Sequence, residues 1–425
     1  MSIFLLIMFF VLMLVGMPIA ISLGISVVLT ILLFTEVPFS IVIQSMYSSM
    51  NSFIMVAVPL FILAGIIMDE GKIAERIFAF ARSLVGWLTG GLGHVNILAS
   101  LIFSGMAGSS VADIASTGRI TINAMTRNNY PLQYAASLTL VSSMLATIIP
   151  PSILMVIAAS IAGVSISAAL VGGLVPGLIV ALFLMFYNYF YCKKNNIGIH
   201  QKFQVGTLGK EFLKAFPALM APVILLGGIL SGFFTPTEAA AIAVLYTLLI
   251  SIFVYKGLRF KQLPSIFFRT ASLTGTILFI AVTAKPASWI FEYDGLPTRI
   301  ATSISGISES PIIILLILFV FLIVVGMFMD ATAAIFILVP ILMPTVLLVG
   351  IDPVFFVIFM VLLLSFGLIT PPIGVCLYAV CNITKLKIEE VTKGVIPLIL
   401  VTLGILLIFV FVPQLITVPL NWFGF

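Results

Sequence analysis

The chain has 425 residues, of which 62% are hydrophobic and 8% charged, with a mean hydropathy of +1.34. No water-soluble core hides that much apolar surface, so composition excludes a soluble globular protein and makes the bilayer the solvent. The net charge of +5 does not indicate nucleic-acid binding, because the Lys and Arg residues sit in short connectors between apolar runs, as the positive-inside rule describes.

The first charged residue is Glu36, which leaves an uncharged opening run long enough to span a hydrocarbon core. A signal peptide is not expected there, since the run lacks a basic start and an evident small-residue cleavage site. Gly16-Met17-Pro18 interrupts it, and proline kinks or ends a helix, so one bent helix and two short ones both remain open. Further spans are predicted near residues 53–69, 129–160, 169–192, 212–234, 236–255, 271–291, 353–383 and 394–417. From about Leu92 to Arg127, and from about Ile312 to Thr345, two apolar arms of roughly 13 to 15 residues flank a small polar tip, a length that suits re-entrant hairpins better than full crossings. The expected fold is an all-α integral membrane protein with about ten to eleven transmembrane helices and two re-entrant hairpins.

Basic clusters at Lys72, Arg76 and Arg82, at Lys193, Lys194, Lys202, Lys210 and Lys214, at Lys256, Arg259, Lys261 and Arg269, and at Lys385, Lys387 and Lys393 are placed on the cytoplasmic side. Acidic connectors at Glu36, Glu292-Tyr293-Asp294, Glu309 and Asp352 then fall outside. Cys192, Cys376 and Cys381 have neither metal-ligand nor CxxC spacing and read as small packing residues.

The two halves resemble each other. Gly105-Met106 matches Gly326-Met327 at an offset of 326 − 105 = 221, and Pro150-Pro151 matches Pro371-Pro372 at the same offset. The charge pattern sets the two hairpins opening to opposite faces, as in inverted-repeat carriers whose sites lie near the midplane. Residues 1–200 are expected to form the first repeat and 201–425 the second, with broken helices at 146–152 and 368–374.

Polar residues concentrate at the hairpin tips and breaks. The first tip runs Ser104-Gly-Met-Ala-Gly-Ser109-Ser110-Val-Ala-Asp113, and helical spacing puts Ser109 or Ser110, Asp113, and Ser116 or Thr117 on one face. A membrane-embedded Asp points to a cavity, ion or partner charge; the alternative is a buried Asp113 that caps a helix or pairs with Arg119. In Ile149-Pro150-Pro151-Ser152 two prolines remove amide donors and break the helix, and freed carbonyls at membrane depth need protein, water or a cation. Thr370-Pro371-Pro372 repeats the device, opposite a second tip with Gly326, Asp330 and Thr332. Oxygen-only ligands at two candidate sites suit a hard ion such as sodium and not a transition metal. Glu238, two residues after Pro236 and in the same first turn, reads as an ordinary helix N-terminus. Lys285, well inside an apolar run, either meets an anionic substrate or snorkels to an interface, and both readings stay open.

Val58-Pro-Leu-Phe-Ile-Leu-Ala-Gly65, the Ser/Gly-rich first tip, Ile-Ile-Pro-Pro-Ser152, Thr-Pro-Thr-Glu-Ala-Ala-Ala241 and Leu-Ile-Thr-Pro-Pro-Ile-Gly374 together resemble the large membrane subunit (DctM-like) of TRAP transporters over nearly the whole chain. The resemblance implies a sodium-coupled importer with elevator-type scaffold and transport domains in the bacterial inner membrane. It also implies a separate small four-helix membrane subunit and a periplasmic substrate-binding protein, with organic acids such as sialic acid or C4-dicarboxylates as substrates. By carry-over, about two sodium sites would draw on Ser104, Gly105, Ser110, Ile149, Pro150, Gly326, Asp330, Thr332, Thr370 and Pro371. Ser109, Asp113 and Lys285 would lie near the substrate. Two histidines, His94 and His200, and no acid pair or nucleophile-base spacing disfavour a membrane enzyme. The sequence has no GxxxxGK[ST] loop for ATP. A binding-protein-independent sodium/anion carrier is the alternative within the same architecture.

Overall fold

A computed structural model describes residues 1–425 except 52, 199–202, 307 and 309, and describes only the main chain of residues 53, 54, 106, 107 and 305. His200, Lys202 and Glu309 therefore lie outside the described residues. The fold is all-helical, and what decides each helix is where the prolines and glycines stop it. The opening run resolves into two helices, Ser2–Leu14 and Ile19–Phe34, on either side of Gly16-Met17-Pro18. They pack back on each other, with the Phe4 and Phe34 rings 5.0 Å apart. At 13 and 16 residues they are about 20 and 24 Å long, each shorter than a hydrocarbon core of about 30 Å.

Among the described residues, seven helices are long and apolar enough to cross a membrane singly, and the pair Leu132–Ile148 and Ile153–Ala162, bent by 43°, is long and apolar enough only when taken together. The peripheral helices keep little of their surface inside the protein. Only 28% of the most apolar window of Val205–Leu230 is buried, and 33% for Phe260–Tyr293. Leu213 and Phe268 stand out with 73% and 76% of their surface exposed, an arrangement that hydrocarbon tolerates and water does not. The centre is the opposite: every residue from Phe355 to Ile369 is buried.

The two halves share helix bounds as well as motifs. Leu132–Ile148 and Pro353–Ile369 begin and end 221 residues apart. Each is followed by a proline break and a second short helix, Ile153–Ala162 and Val375–Thr384 respectively. The first hairpin runs down Gly91–Ala107, turns at Gly108-Ser109, and returns through Ser110–Asp113, a π-helical turn Ile114–Gly118, and Arg119–Thr126. Its arms are antiparallel, since Ser100 meets Asp113 while Asn96 meets Met125. The second comprises Pro311–Phe328 and Ala331–Leu348 around Met329-Asp330. Its arms have 18 residues each, or about 27 Å, rather than the 13 to 15 expected, so arm length alone does not mark them as hairpins. The position of the tips does, because both abut the helix breaks. Each hairpin is also preceded by a short amphipathic helix, Ile73–Val85 and Leu296–Ser305, which periodicity in the long apolar runs had masked.

In the second half the hairpin and the broken helix meet main chain to main chain. A Cβ on Gly367 would lie 2.3 Å from the Gly326 carbonyl carbon, closer than any real packing allows. We expect Gly367→Ala to lower stability by about 1–3 kcal/mol through overpacking. Gly275→Ala, where nothing lies within 4 Å of the added carbon, should be neutral or slightly stabilising. Thermal unfolding of the detergent-solubilised protein reads both, and equal midpoints for the two variants would refute the close contact.

Candidate functional site

The site begins with what the prolines subtract. Pro150 and Pro151 cannot donate to the carbonyls of Ala146 and Thr147, and Pro371 and Pro372 cannot donate to those of Gly367 and Leu368. The protein repairs part of the loss: the Ser152 hydroxyl donates to the Thr147 oxygen at 2.5 Å, and the Thr370 amide donates to the Gly367 oxygen at 3.0 Å. Both Pro–Pro peptide bonds are cis. Ile149 and Thr370 close the preceding helices in extended conformation. The main chain therefore leaves helical geometry at the same point of each repeat, inside the protein, where irregular backbone is tolerated only when buried or lining a cavity.

Each tip is seated on a break. Gly108 adopts a left-handed conformation (φ +59°), and a Cβ there would come 2.6 Å from the Pro151 oxygen, so only glycine turns the tip this close to the carbonyl. Beyond it, Ser109 is extended and Ser110 starts the returning arm, with its hydroxyl 3.3 Å from that of Thr147. At the other tip Asp330 is the N-cap of its arm and accepts from the Thr332 amide at 2.9 Å, which satisfies a helix-terminal donor and leaves the carboxylate aimed into the interior.

These groups converge on one cavity of about 110 Å³. Ser109, Ser110, Thr147, Asp330, Thr332 and Leu368 line it, with Ile277 of the long helix Leu263–Tyr293 as a wall from outside the repeat core. Its polar side chains present only hydroxyl and carboxylate oxygen, a donor set matched to a hard, weakly bound cation. The volume is well below the roughly 300 Å³ at which pockets for organic ligands begin, so in this conformation it has room for an ion and water but not for a whole organic acid.

The remaining predicted residues separate into three groups. Ser104, Gly105, Ile149, Pro150, Gly326, Thr370 and Pro371 do not line the cavity. Ser104 donates back to the Leu101 oxygen, Thr370 donates to the Phe366 oxygen, and Gly105 packs against Pro222 with the Pro150 oxygen nearby. Asp113 is fully buried behind the tip. Ser100 donates to one of its carboxyl oxygens at 2.7 Å and Thr117 to the other, and no ion pair with Arg119 is found among the described residues. Asn96, Thr139 and Ser142 extend this polar network. Lys285 lines a different cavity altogether. Sequence reading missed Thr147, Ser100 and Ile277. Ser100, a hydroxyl in an apolar arm, and Thr147, inside the broken segment 146–152, left a trace there, whereas Ile277 is indistinguishable from any lipid-facing isoleucine.

Comparison with known proteins fits this arrangement. A family model described as "Tripartite ATP-independent periplasmic transporter, DctM component" matches residues 6–415. The 2,3-diketo-L-gulonate TRAP transporter large permease protein YiaN of Escherichia coli is 36% identical, over 90% of both chains. The sialic acid TRAP transporter large permease protein SiaM of Vibrio cholerae is also 36% identical, over 94% of this chain and 93% of its own. Among solved structures, the Alcanivorax borkumensis YdaH transporter shares the fold with a TM-score of 0.64 at 14% identity, covering 88% of each chain. Paired hairpin tips on paired proline breaks, in a chain that matches this family from end to end, place the protein among the DctM-type large permeases of TRAP transporters.

Proposed function

We propose that this chain is the membrane-crossing path of a sodium-driven importer of an organic acid in the bacterial inner membrane. It works with a small four-helix membrane subunit and a periplasmic protein that delivers the substrate, and it is a carrier, not an enzyme. The observation that carries the reading is the cavity between the two tips, where four hydroxyls and one carboxylate meet on otherwise apolar walls. Residues 1–200 and 201–425 act as its two repeats. Ser109, Ser110, Thr147 and the first break supply one sodium site, while Asp330, Thr332 and the second break supply the other. With at most one carboxylate per site, each suits a monovalent ion that enters and leaves with the substrate.

The cavity is too small for an organic acid as it stands, so substrate access requires the wall at Ile277 to part from the tips. An elevator-type displacement of the hairpins and broken helices against the long helix does this without unmaking the tip-on-break contacts. Ser109, with no hydrogen bond from its hydroxyl among the described residues, is free to meet substrate or ion at the cavity. Asp113 sits behind the tip as a positioning group, its two donors fixing the returning arm.

Uptake by the assembled three-component system in vesicles should follow an imposed sodium gradient and ignore ATP depletion. Asp330→Ala should weaken apparent sodium affinity by about 10-fold or more, the loss expected for a charged ligand. Unchanged sodium dependence would remove the second site. A second contrast separates positioning from contact: Ser100→Ala should lower the thermal midpoint, at a cost of about 1–3 kcal/mol for a buried acceptor losing its donor, whereas Ser109→Ala should leave the midpoint in place and alter the uptake parameters. Both variants shifting the midpoint alone would sink the assignment of Ser109.

A further inference from the structure

A second cavity of about 410 Å³ lies between the long helix Leu263–Tyr293, the end of Ser40–Met50, the end of Ile153–Ala162, and the returning arm of the second hairpin. It is within the size range of organic-ligand pockets, unlike the tip cavity. The long helix starts at the basic connector containing Lys256, Arg259 and Lys261 and ends at Glu292 and Asp294. Lys285 lies about two turns, or 12 Å, below that acidic end, so the cavity belongs to the outer half of the protein.

Its chemistry is specific. Lys285 is exposed into the cavity and has no ion pair or hydrogen bond among the described residues. A lone ammonium at this depth is costly unless an anion visits it. Around it stand hydroxyls: Ser48 and Ser160 have no partner among the described residues, and Ser288 donates to the Ala284 oxygen, leaving its lone pairs as acceptors. Among the described residues the only acid on the wall is Glu292, seven residues further along the same helix and so on the same face. One cation is available for a single carboxylate, and the hydroxyls suit a hydroxylated body. A second carboxylate would find no cation and would be repelled by Glu292.

Resting on the importer reading, we infer that the Lys285–Glu292 cavity is an outward-facing receiving site that takes a polyhydroxylated monocarboxylic acid, such as a sugar acid, before the acid reaches the tips, and that it discriminates against dicarboxylates. Lys285 holds the carboxylate, the serines meet the hydroxyl groups, and Glu292 accepts from a substrate hydroxyl while rejecting a second negative charge.

The test uses the assembled complex in right-side-out vesicles, with Ser48→Cys labelled from outside by a membrane-impermeant maleimide. D-gluconate and N-acetylneuraminate should each slow labelling about 10-fold at saturation, and succinate at the same concentration should not. Lys285→Gln should abolish the protection while leaving the unprotected labelling rate unchanged, which shows that the cavity is still formed, and Lys285→Arg should restore part of it. Glu292→Gln should let succinate protect. The inference is overturned if neither monocarboxylate protects, if succinate protects the parent protein equally well, or if the cysteine reacts only from the inside. Uptake measured in the same vesicles keeps the two readings apart. A complex that imports an organic acid without protection at Ser48→Cys loses only the receiving site, whereas a complex that imports none loses the importer reading whatever the labelling shows.

Discussion

The structure depends on one subtraction: two adjacent prolines, placed once in each half, take away the amide donors that would carry a helix through the middle of the protein. In a bilayer that loss has to be answered locally, because no water is at hand. The answer is partly internal, through Ser152 on Thr147 and the Thr370 amide on Gly367, and partly a hairpin tip laid against the break. The hairpins can stop at mid-depth because the breaks need something there, and the breaks are tolerable because the tips arrive. Each covers the other: Ser110 meets Thr147 at the first break, and Gly326 lies against Gly367 at the second.

The repeat is not symmetrical in its chemistry. The network of Asn96, Ser100, Asp113 and Thr117 has, at the offset of 221, Ile317, Phe321, Ala334 and Leu338. The first hairpin is held by buried hydrogen bonds, the second by main chain against main chain and aliphatic packing. Conversely, the tip carboxylate belongs to the second half, since Asp330 stands where the first half has Ser109. The two halves thus share a backbone device and divide the polar groups between them, which gives the shared cavity unlike walls and its two ends unlike charge.

Much of this was legible because proline states its consequence in the sequence. The breaks, their offset and the polar tips follow from residue identity, and so do the broad spans from hydropathy. Contact partners were not legible. That Asp113 turns to Ser100 and Thr117 instead of the cavity depends on a π-helical turn at Ile114–Gly118 that rotates the returning arm, and no spacing rule anticipates one inserted residue per turn. For Lys285 depth, not residue type, decides between its two readings, and depth is set by the helix Leu263–Tyr293 as a whole. The amphipathic helices Ile73–Val85 and Leu296–Ser305 were lost between long apolar runs, since short elements at an interface carry weak signals beside twenty-residue ones.

The glycine pair at Gly326 and Gly367 has a mechanical corollary. Two backbones pressed together without intervening side chains have no rotamers to rearrange, so the proposed displacement would carry the second hairpin and its broken helix as one piece. On the opposite side the tips meet the long helix through the branched side chain of Ile277, an apolar contact with no hydrogen bond in it. The displacement proposed above would therefore part the molecule along the long helix.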